Sequence, residues 1–138
     1  MVNGYTDANA VVYYADGGPL QSPYYPLDFK SYSQVGLFTG ARKIAISSEY
    51  NNVLVDTTVT IKDSTIYTSF VYGNKTKAVQ VITTDKINKE IKNTESGVRF
   101  FNFAEGTDQN YYYSLILIGK VNDEKKPLYL GLVAQAAN

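Results

Sequence analysis

Two adjacent tyrosines, Tyr24 and Tyr25, are the residues of this chain best suited to binding chemistry, because a proline flanks them on each side. Pro23 and Pro26 lack backbone donors and predict a loop, or at most an edge segment, over residues 20–29. Flanking prolines also stiffen a loop and lower the entropy lost on binding. An exposed tyrosine offers a flat apolar face and a hydroxyl to a sugar or a protein. We therefore predict a binding surface at Tyr24 and Tyr25; the alternative is that both rings only cover the end of the fold.

Three oxygen-bearing side chains near predicted strand ends, Asp7, Asn9 and Asp16, could ligate calcium. They match no EF-hand loop, and Asp and Asn at turns commonly bond to their own backbone. The chain has no histidine and no cysteine, the residues that most often bind transition metals. The sequence therefore predicts no metal site and no cofactor.

The residue types also give little support to an enzyme. Without histidine or cysteine, the commonest general base and the thiol nucleophile are absent. The thirteen acidic residues are scattered and mostly flank predicted turns, so their spacing does not indicate a carboxylate pair for glycoside hydrolysis. No Gly-x-Ser-x-Gly elbow, Ser-x-x-Lys motif or phosphate-binding loop occurs. We predict no catalytic residue, with a hydrolase of cell-envelope glycans as the alternative.

Charge and hydropathy exclude two classes of partner. Thirteen basic and thirteen acidic side chains cancel, so no net field attracts nucleic acid or an anionic membrane. No apolar run approaches the roughly 20 residues of a membrane-spanning helix. The first residues have neither the charged nor the apolar part of a signal peptide, so we expect any such segment, with or without a lipid anchor, to precede residue 1.

The elements that must position these side chains are strands. Runs of β-branched and aromatic residues, separated by turn signals about every 8–12 residues, are typical of a sandwich or barrel. The predicted strands are 10–15, 31–38, 42–48, 53–61, 66–71, 78–83, 97–103, 111–118 and 128–134. Residues 53–72 are predicted to form a hairpin through the polar tetrad 62–65, with alternate residues of its first strand facing the core. A turn over residues 49–52 leads into it.

We predict an all-β fold, an immunoglobulin-like antiparallel β-sandwich of seven or more strands that forms one domain over residues 1–138. Residues 1–84 form its core module, 85–96 a polar connector (one or two helical turns, or a solvated segment), and 97–138 three strands that complete or extend the sandwich. A loose similarity between residues 2–7 and 101–106 leaves open a partial second repeat packed on the first. The predicted core residues are Val11, Tyr13, Ile44, Ile46, Val55, Val59, Ile61, Phe70, Val79, Val81, Phe101, Leu115 and Leu117.

Several segments, taken together in their order and spacing, resemble one family. They are Met1–Ala8, Val11–Gly17, Phe38–Ile44, Thr58–Thr68 and Val98–Asn102. This pattern is similar to that of the bacterial extracytoplasmic family known as domain of unknown function 4397, whose members open with a Phe-Val-Asn-x-x-Pro-Asp-Ala-like segment followed by an Asp-Gly turn. The resemblance covers residues 1 to about 103. Thr6 stands where the family often has proline, and Met1 where it often has phenylalanine.

The resemblance implies an immunoglobulin-like sandwich, often in tandem, in secreted or lipoprotein-anchored proteins, notably of Bacteroidetes-type bacteria. It implies an extracytoplasmic location, periplasmic or at the cell surface, and supplies no catalytic residue. With the tyrosine pair, it leads us to predict a non-catalytic module for adhesion, surface assembly or binding of a glycan or another surface protein.

In that cellular setting, two short motifs are candidate O-glycosylation sites. Asp56-Thr57-Thr58 and Asp63-Ser64-Thr65 resemble the Asp-Ser/Thr-aliphatic-or-Thr acceptor motif of Bacteroidetes periplasmic O-glycosylation. We expect Ser64, at the tip of the predicted hairpin, to be more exposed than Thr57 and therefore the better acceptor. An intact mass without added hexose after periplasmic expression would contradict this hypothesis.

Overall fold

The computed structural model describes residues 1–22, 24–49, 51–85 and 101, and the backbone of residues 111–118 and 129–136. Its ten strands are β1 (Val2–Tyr5), β2 (Ala10–Ala15), β3 (Gly18–Pro19), β4 (Leu27–Asp28), β5 (Gly40–Ser48), β6 (Val53–Ile61), β7 (Ile66–Asn74), β8 (Lys77–Asp85), β9 (Tyr111–Ile118) and β10 (Tyr129–Ala136). All regular elements in these ranges are strands, which confirms the all-β prediction. These ranges contain no helix long and apolar enough to cross a membrane.

Two sheets form the first of two compact units, Met1–Phe103. One sheet has the strand order β3-β2-β5-β6, with β4 also pairing with β2, and the other has the order β1-β7-β8. Strand β1 runs parallel to β7, with Val2 opposite Phe70, whereas the other pairs in both sheets are antiparallel. The predicted antiparallel arrangement is therefore wrong at β1, a strand that the sequence analysis did not identify.

The predicted hairpin over residues 53–72 is also wrong, although both of its strands exist. Strand β6 pairs with β5 and β7 pairs with β8, so the tetrad 62–65 connects the two sheets. The hairpin that does form joins β5 and β6 through the predicted 49–52 turn. There the Ser48 amide donates to the Asn52 carbonyl at 2.9 Å. Alternating polarity specifies which face of a strand is buried, but it does not specify which strand lies at its edge. The pairing could therefore not be derived from the alternation in β6.

Residues 31–38 form no strand, contrary to prediction. Within the described part of the chain, their one ladder contact is an isolated bridge between Tyr32 and Val2. Lys30 immediately before them has φ 68°, a left-handed conformation that turns the chain away from β4. The predicted strand 97–103, except Phe101, lies outside the described residues. Of the predicted connector 85–96, Asp85 is instead the last residue of β8, and residues 86–96 lie outside the described residues.

The core of the first unit lies between its two sheets. It is built by Tyr5, Val11, Tyr13, Leu27, Ile44, Ile46 and Val71. Of the predicted core residues, Val11, Tyr13, Ile44, Ile46 and Phe70 are buried, and Val55, Val59, Ile61, Val79, Val81 and Phe101 are half-buried. The side chains of Leu115 and Leu117 lie outside the description. The Tyr13 hydroxyl lies 3.4 Å from the Val2 carbonyl and 3.5 Å from that of Ser69, so this side chain of the β2 sheet contacts the opposite sheet.

The hairpin between β7 and β8 depends on one glycine. Gly73 has φ 97°, and a Cβ atom there would lie 2.1 Å from the Lys77 carbonyl oxygen. Because backbone cannot yield to such an overlap, only glycine fits this position. The Gly73 carbonyl also accepts bonds from the amide and hydroxyl of Thr6, which attaches the end of β1 to this turn.

The second unit, Ala104–Asn138, contains the antiparallel pair of β9 and β10, in which Tyr111 lies opposite Ala136 and Ile118 opposite Tyr129. The strands predicted at 111–118 and 128–134 are confirmed by this pair. That residues 97–138 complete a single domain with residues 1–84 stays a prediction.

Candidate functional site

Exposed apolar side chains are concentrated in one stretch, residues 20–39, which we call the aromatic segment. Of the eight large hydrophobic residues that are exposed in the described part of the chain, six lie here. They are Tyr24, Tyr25, Phe29, Tyr32, Val35 and Phe38. Such a concentration is unusual, because scattered single apolar side chains are the rule on the surface of a monomer. The aromatic segment is therefore the candidate interaction surface.

The first part of the aromatic segment is held along the free edge of β2. The Leu20 amide donates to the Tyr13 carbonyl at 2.8 Å, and the Gln21 carboxamide bonds the Val11 carbonyl at 3.1 Å and the Tyr13 amide at 3.4 Å. Strand β4 continues this cover by pairing Leu27 with Val11. The Gln21 side chain and the short strands β3 and β4 thus bond to backbone groups of the β2 edge that would otherwise be open to another chain.

Tyr24 and Tyr25 lie on a tight turn between Gln21 and β4. The Tyr25 amide donates to the Ser22 carbonyl at 2.9 Å, and the Tyr24 amide to the Ser22 hydroxyl at 3.3 Å. The two tyrosines are 90% and 81% exposed, so neither ring covers the end of the sandwich. The loop position therefore agrees with the prediction, whereas binding at this pair stays a prediction. Pro23 lies outside the described residues.

Asn3 of β1 holds the middle of the aromatic segment and is 1% exposed. Its side-chain amide donates to the Leu27 carbonyl at 2.9 Å, while its backbone bonds Lys30 at 2.8 Å and Ser31 at 3.1 Å. Its Oδ1 accepts from the Tyr5 amide at 3.0 Å. Sequence reasoning missed this anchor; the available signal was an asparagine between Val2 and Gly4, since strands are poor in asparagine.

Arg42 holds the far end of the aromatic segment. Its guanidinium donates to the Phe38 carbonyl at 3.0 Å and to the Thr39 carbonyl at 2.6 Å, and it pairs with Asp16 at 3.0 Å. The Lys43 amide, first, and then the Arg42 guanidinium hold the pKa of Asp16 below its ordinary value. Asp16 therefore holds the Arg42 guanidinium in place. Arg42 in turn fixes the backbone of Phe38, although the Phe38 ring is 86% exposed.

The three residues weighed as calcium ligands act separately. Asp7 accepts from the Lys75 amide at 2.7 Å, and the backbone amide of Asn9 donates to the Glu49 carboxylate at 3.1 Å. Burial raises the pKa of Glu49, but hydrogen bonds from the Ala10 and Asn9 amides outweigh it and leave this pKa lowered. No cluster of three or more metal-ligating side chains is found within the described ranges.

A cleft of about 830 Å³ opens between the two sheets of the first unit. Its walls include aliphatic side chains of the aromatic segment, β6 and β8, among them Leu37, Val59 and Ile82. Asp63, on the connection between β6 and β7, and Asp85, at the end of β8, both line it. Asp85 accepts hydrogen bonds from the hydroxyls of two threonines of β7 and β8. Sequence spacing did not reveal this pair of acids, because residues 63 and 85 are distant in the chain and the β7–β8 pairing, with Asp85 opposite Ile66, brings both to one cleft.

The two glycosylation candidates differ in exposure as predicted. Ser64 is exposed on the connection between the sheets and has φ 52°, whereas Thr57 is half-buried in the middle of β6. Ser64 is therefore the more accessible hydroxyl, although this connection is not the hairpin tip that the sequence suggested. Modification of either residue stays a prediction.

Comparison with curated proteins and with solved structures gives no match. The family described as "Domain of unknown function (DUF4397)" matches residues 1–113. This match covers the whole first unit, with the aromatic segment and the cleft, and reaches the beginning of β9. It extends beyond the segments in which the sequence showed a resemblance. The chain belongs to the DUF4397 family.

Proposed function

We propose that this protein is a non-catalytic extracytoplasmic module that binds another surface protein through its aromatic segment, in adhesion or surface assembly. The observation that carries the proposal is the concentration of six of the eight exposed large hydrophobic residues in residues 24–38 of the described chain. Aromatic side chains are enriched at protein interfaces because they combine a large apolar area with polar atoms at the edge.

The fixed backbone of the aromatic segment supports this proposal. Asn3, Gln21 and Arg42 hold its middle, beginning and end, respectively, through hydrogen bonds to main-chain atoms of the segment or of the strand beside it. A segment whose backbone is already ordered loses less entropy when a partner binds. A stable interface buries more than about 1,000 Å² in total, which several aromatic side chains together can contribute.

The extracytoplasmic location is part of the proposal and is supported by the family resemblance of the sequence. We place the module in the periplasm or at the cell surface. Fractionation of the source bacterium, followed by protease treatment of intact cells, tests this location. Recovery in the cytoplasm would contradict it.

The binding experiment compares two variants of the full chain. The purified protein is crosslinked to envelope fractions of the source bacterium, the captured protein is identified and purified, and its affinity is measured with isolated components. We expect Tyr24→Ala/Tyr25→Ala to lose binding and Val53→Ala, which removes a 65% exposed side chain on β6, to keep it. Equal affinity of the double variant and the wild type would overturn the role of the tyrosines. Binding that is detected only on a glycan array would show that the partner is a glycan and not a protein.

The second candidate function is a hydrolase of cell-envelope glycans, and Asp63 and Asp85 in one cleft favour it. Asp63 is exposed to solvent and Asp85 accepts two threonine hydrogen bonds, whereas the general acid of a glycosidase is enclosed by apolar side chains. Incubation with purified envelope glycans, followed by analysis of released sugars, distinguishes the two functions. Release that disappears in both Asp63→Asn and Asp85→Asn would establish the hydrolase.

A further inference from the structure

We propose that the cleft between the two sheets of the first unit binds a neutral, hydroxyl-rich ligand, a short glycan of one or two sugar rings. The volume of about 830 Å³ lies within the range of about 300–1,000 Å³ that is typical of ligand pockets. This site does not use Tyr24 or Tyr25, although it shares Tyr32 and Leu37 with the aromatic segment.

The polar part of the cleft is a directed chain of hydrogen bonds. The Gln80 side-chain amide donates to the Ser69 hydroxyl at 2.8 Å, and that hydroxyl lies 3.5 Å from the Tyr13 hydroxyl. Tyr13 in turn donates toward the Val2 carbonyl at 3.4 Å. In this arrangement Ser69 accepts from the nitrogen of Gln80 and directs its own proton toward Tyr13.

At the Gln80 end of this series of hydrogen bonds, one acceptor atom has no partner. Gln80 Oε1 is buried and makes no hydrogen bond within the described residues, although Gln80, Ser69 and Tyr13 all line the cleft. A buried carbonyl oxygen without a partner is costly, so a donor from a bound molecule stabilises it. The Tyr67 hydroxyl, also in the cleft, accepts from the Lys62 amide at 3.2 Å and retains its own proton for a ligand oxygen. The cleft therefore offers both an acceptor and a donor to its ligand.

The walls of the cleft fit a sugar better than a purely polar or purely apolar molecule. Leu37, Val59 and Ile82 provide aliphatic surface, and Tyr32 and Tyr67 add aromatic surface. A sugar ring presents hydroxyls at its edge and C–H groups on its faces, so it can meet both the carboxamide and these walls. The combination of surfaces therefore indicates a carbohydrate.

The charged groups of the cleft do not favour an anionic ligand. Among the described residues they are Lys62, Asp63 and Asp85, and the Met1 amino group lies beside Asp85, so positive and negative charges balance. The two oxygens of Asp85 already accept from Thr68 and Thr83. The cleft therefore has no excess positive charge to pair with an acidic sugar, which favours a neutral one.

The experiment uses the full chain with maltose, cellobiose, N,N′-diacetylchitobiose and the corresponding monosaccharides, measured by saturation-transfer NMR and calorimetry. We expect at least one of these sugars to bind and Gln80→Leu, which keeps the side-chain size, to weaken that binding about tenfold or more. The matched control is Thr84→Ala, an exposed position on the same strand that does not line the cleft. Its affinity should equal that of the wild type.

Further variants separate this proposal from the preceding one. Tyr24→Ala/Tyr25→Ala should bind the sugar normally even where it loses the protein partner. If Gln80→Leu fails to fold, Ser69→Ala provides the second test, because it releases the Gln80 amide and should also weaken sugar binding. The absence of binding to every neutral sugar tested would overturn the proposal, as would equal affinity of a folded Gln80→Leu variant. Tighter binding of digalacturonate than of the neutral disaccharides would overturn the assigned ligand class.

Discussion

The inner face of β2 and the aromatic segment beside it use the same residue type in opposite environments. Tyr13 on β2 is 1% exposed and contacts the opposite sheet through its hydroxyl, whereas Tyr24 and Tyr25 are 90% and 81% exposed. The chain has thirteen tyrosines, so the composition alone could not distinguish these roles. Position decides them: strand alternation directs Tyr13 inward, and a turn beyond the covered edge of β2 directs the pair outward.

The two regions are also stabilised by different interactions. Burial of apolar side chains stabilises the face of β2, and hydrogen bonds from Asn3, Gln21 and Arg42 hold the aromatic segment. Stability and partner binding should therefore respond to different substitutions. The following predictions test that separation, beginning with the largest effect.

The largest effect is expected in the core. Ile46 lies on β5 opposite Tyr13 and is fully buried, so Ile46→Ala should lower the free energy of unfolding by about 2–5 kcal/mol. Urea denaturation with the exposed Val53→Ala as control measures this difference. Similar losses in the two variants would contradict the assignment of the core.

The anchor of the aromatic segment should show the next largest effect. Asn3→Ala leaves the Leu27 carbonyl and the Tyr5 amide without their side-chain partner, which should cost about 2–4 kcal/mol for the two buried groups. Hydrogen exchange should accelerate at the Lys30 and Asn3 amides, since both bonds hold the segment to β1. Exchange that accelerates evenly over the whole first unit would argue against a local anchor.

Alkaline pH should reduce the contribution of the buried Tyr13 to the free energy of unfolding. Burial, partly offset by the Ser69 hydrogen bond, raises the pKa of Tyr13 from 10.0 to about 12. A raised folded-state pKa means that the contribution is complete below the unfolded value and is lost as pH rises through about 12. The loss should reach about 2 kcal/mol at pH 12 and be absent in Tyr13→Phe. Urea denaturation between about pH 9 and 12 measures it; identical profiles of the two proteins would refute this role.

The smallest effect on stability is expected at the exposed pair. Tyr24→Ala/Tyr25→Ala removes two rings that lie in solvent, so the free energy of unfolding should change by no more than about 0.5 kcal/mol. Thermal unfolding of this variant beside the wild type provides the measurement. A melting temperature many degrees lower would show that the rings pack against the fold and would remove the separation between the two regions.

The parts of the fold that were predictable are those determined by local pattern. The run of β-branched and aromatic residues and the Asp16-Gly17 turn predicted β2 with its observed bounds, and the proline-flanked tyrosines predicted an exposed loop. Strand pairing is determined by the whole fold, so the partner of β6 and the short strand β1 were not derivable. The roles of Asn3 and Gln80 also depend on partners distant in sequence, such as Leu27 and Ser69, which no local pattern contains.

The parallel pairing of β1 with β7 has a consequence for the order of folding. Val2 cannot meet Phe70 until the intervening chain has been made, whereas β5 with β6 and β7 with β8 pair across short turns. Closing so long a loop is slow, because the chain loses conformational entropy before the stabilising contacts between the two strands have formed. We therefore expect β1 to join its sheet after the two hairpins. Since Asn3 belongs to β1, the aromatic segment would reach its final conformation only in that late step.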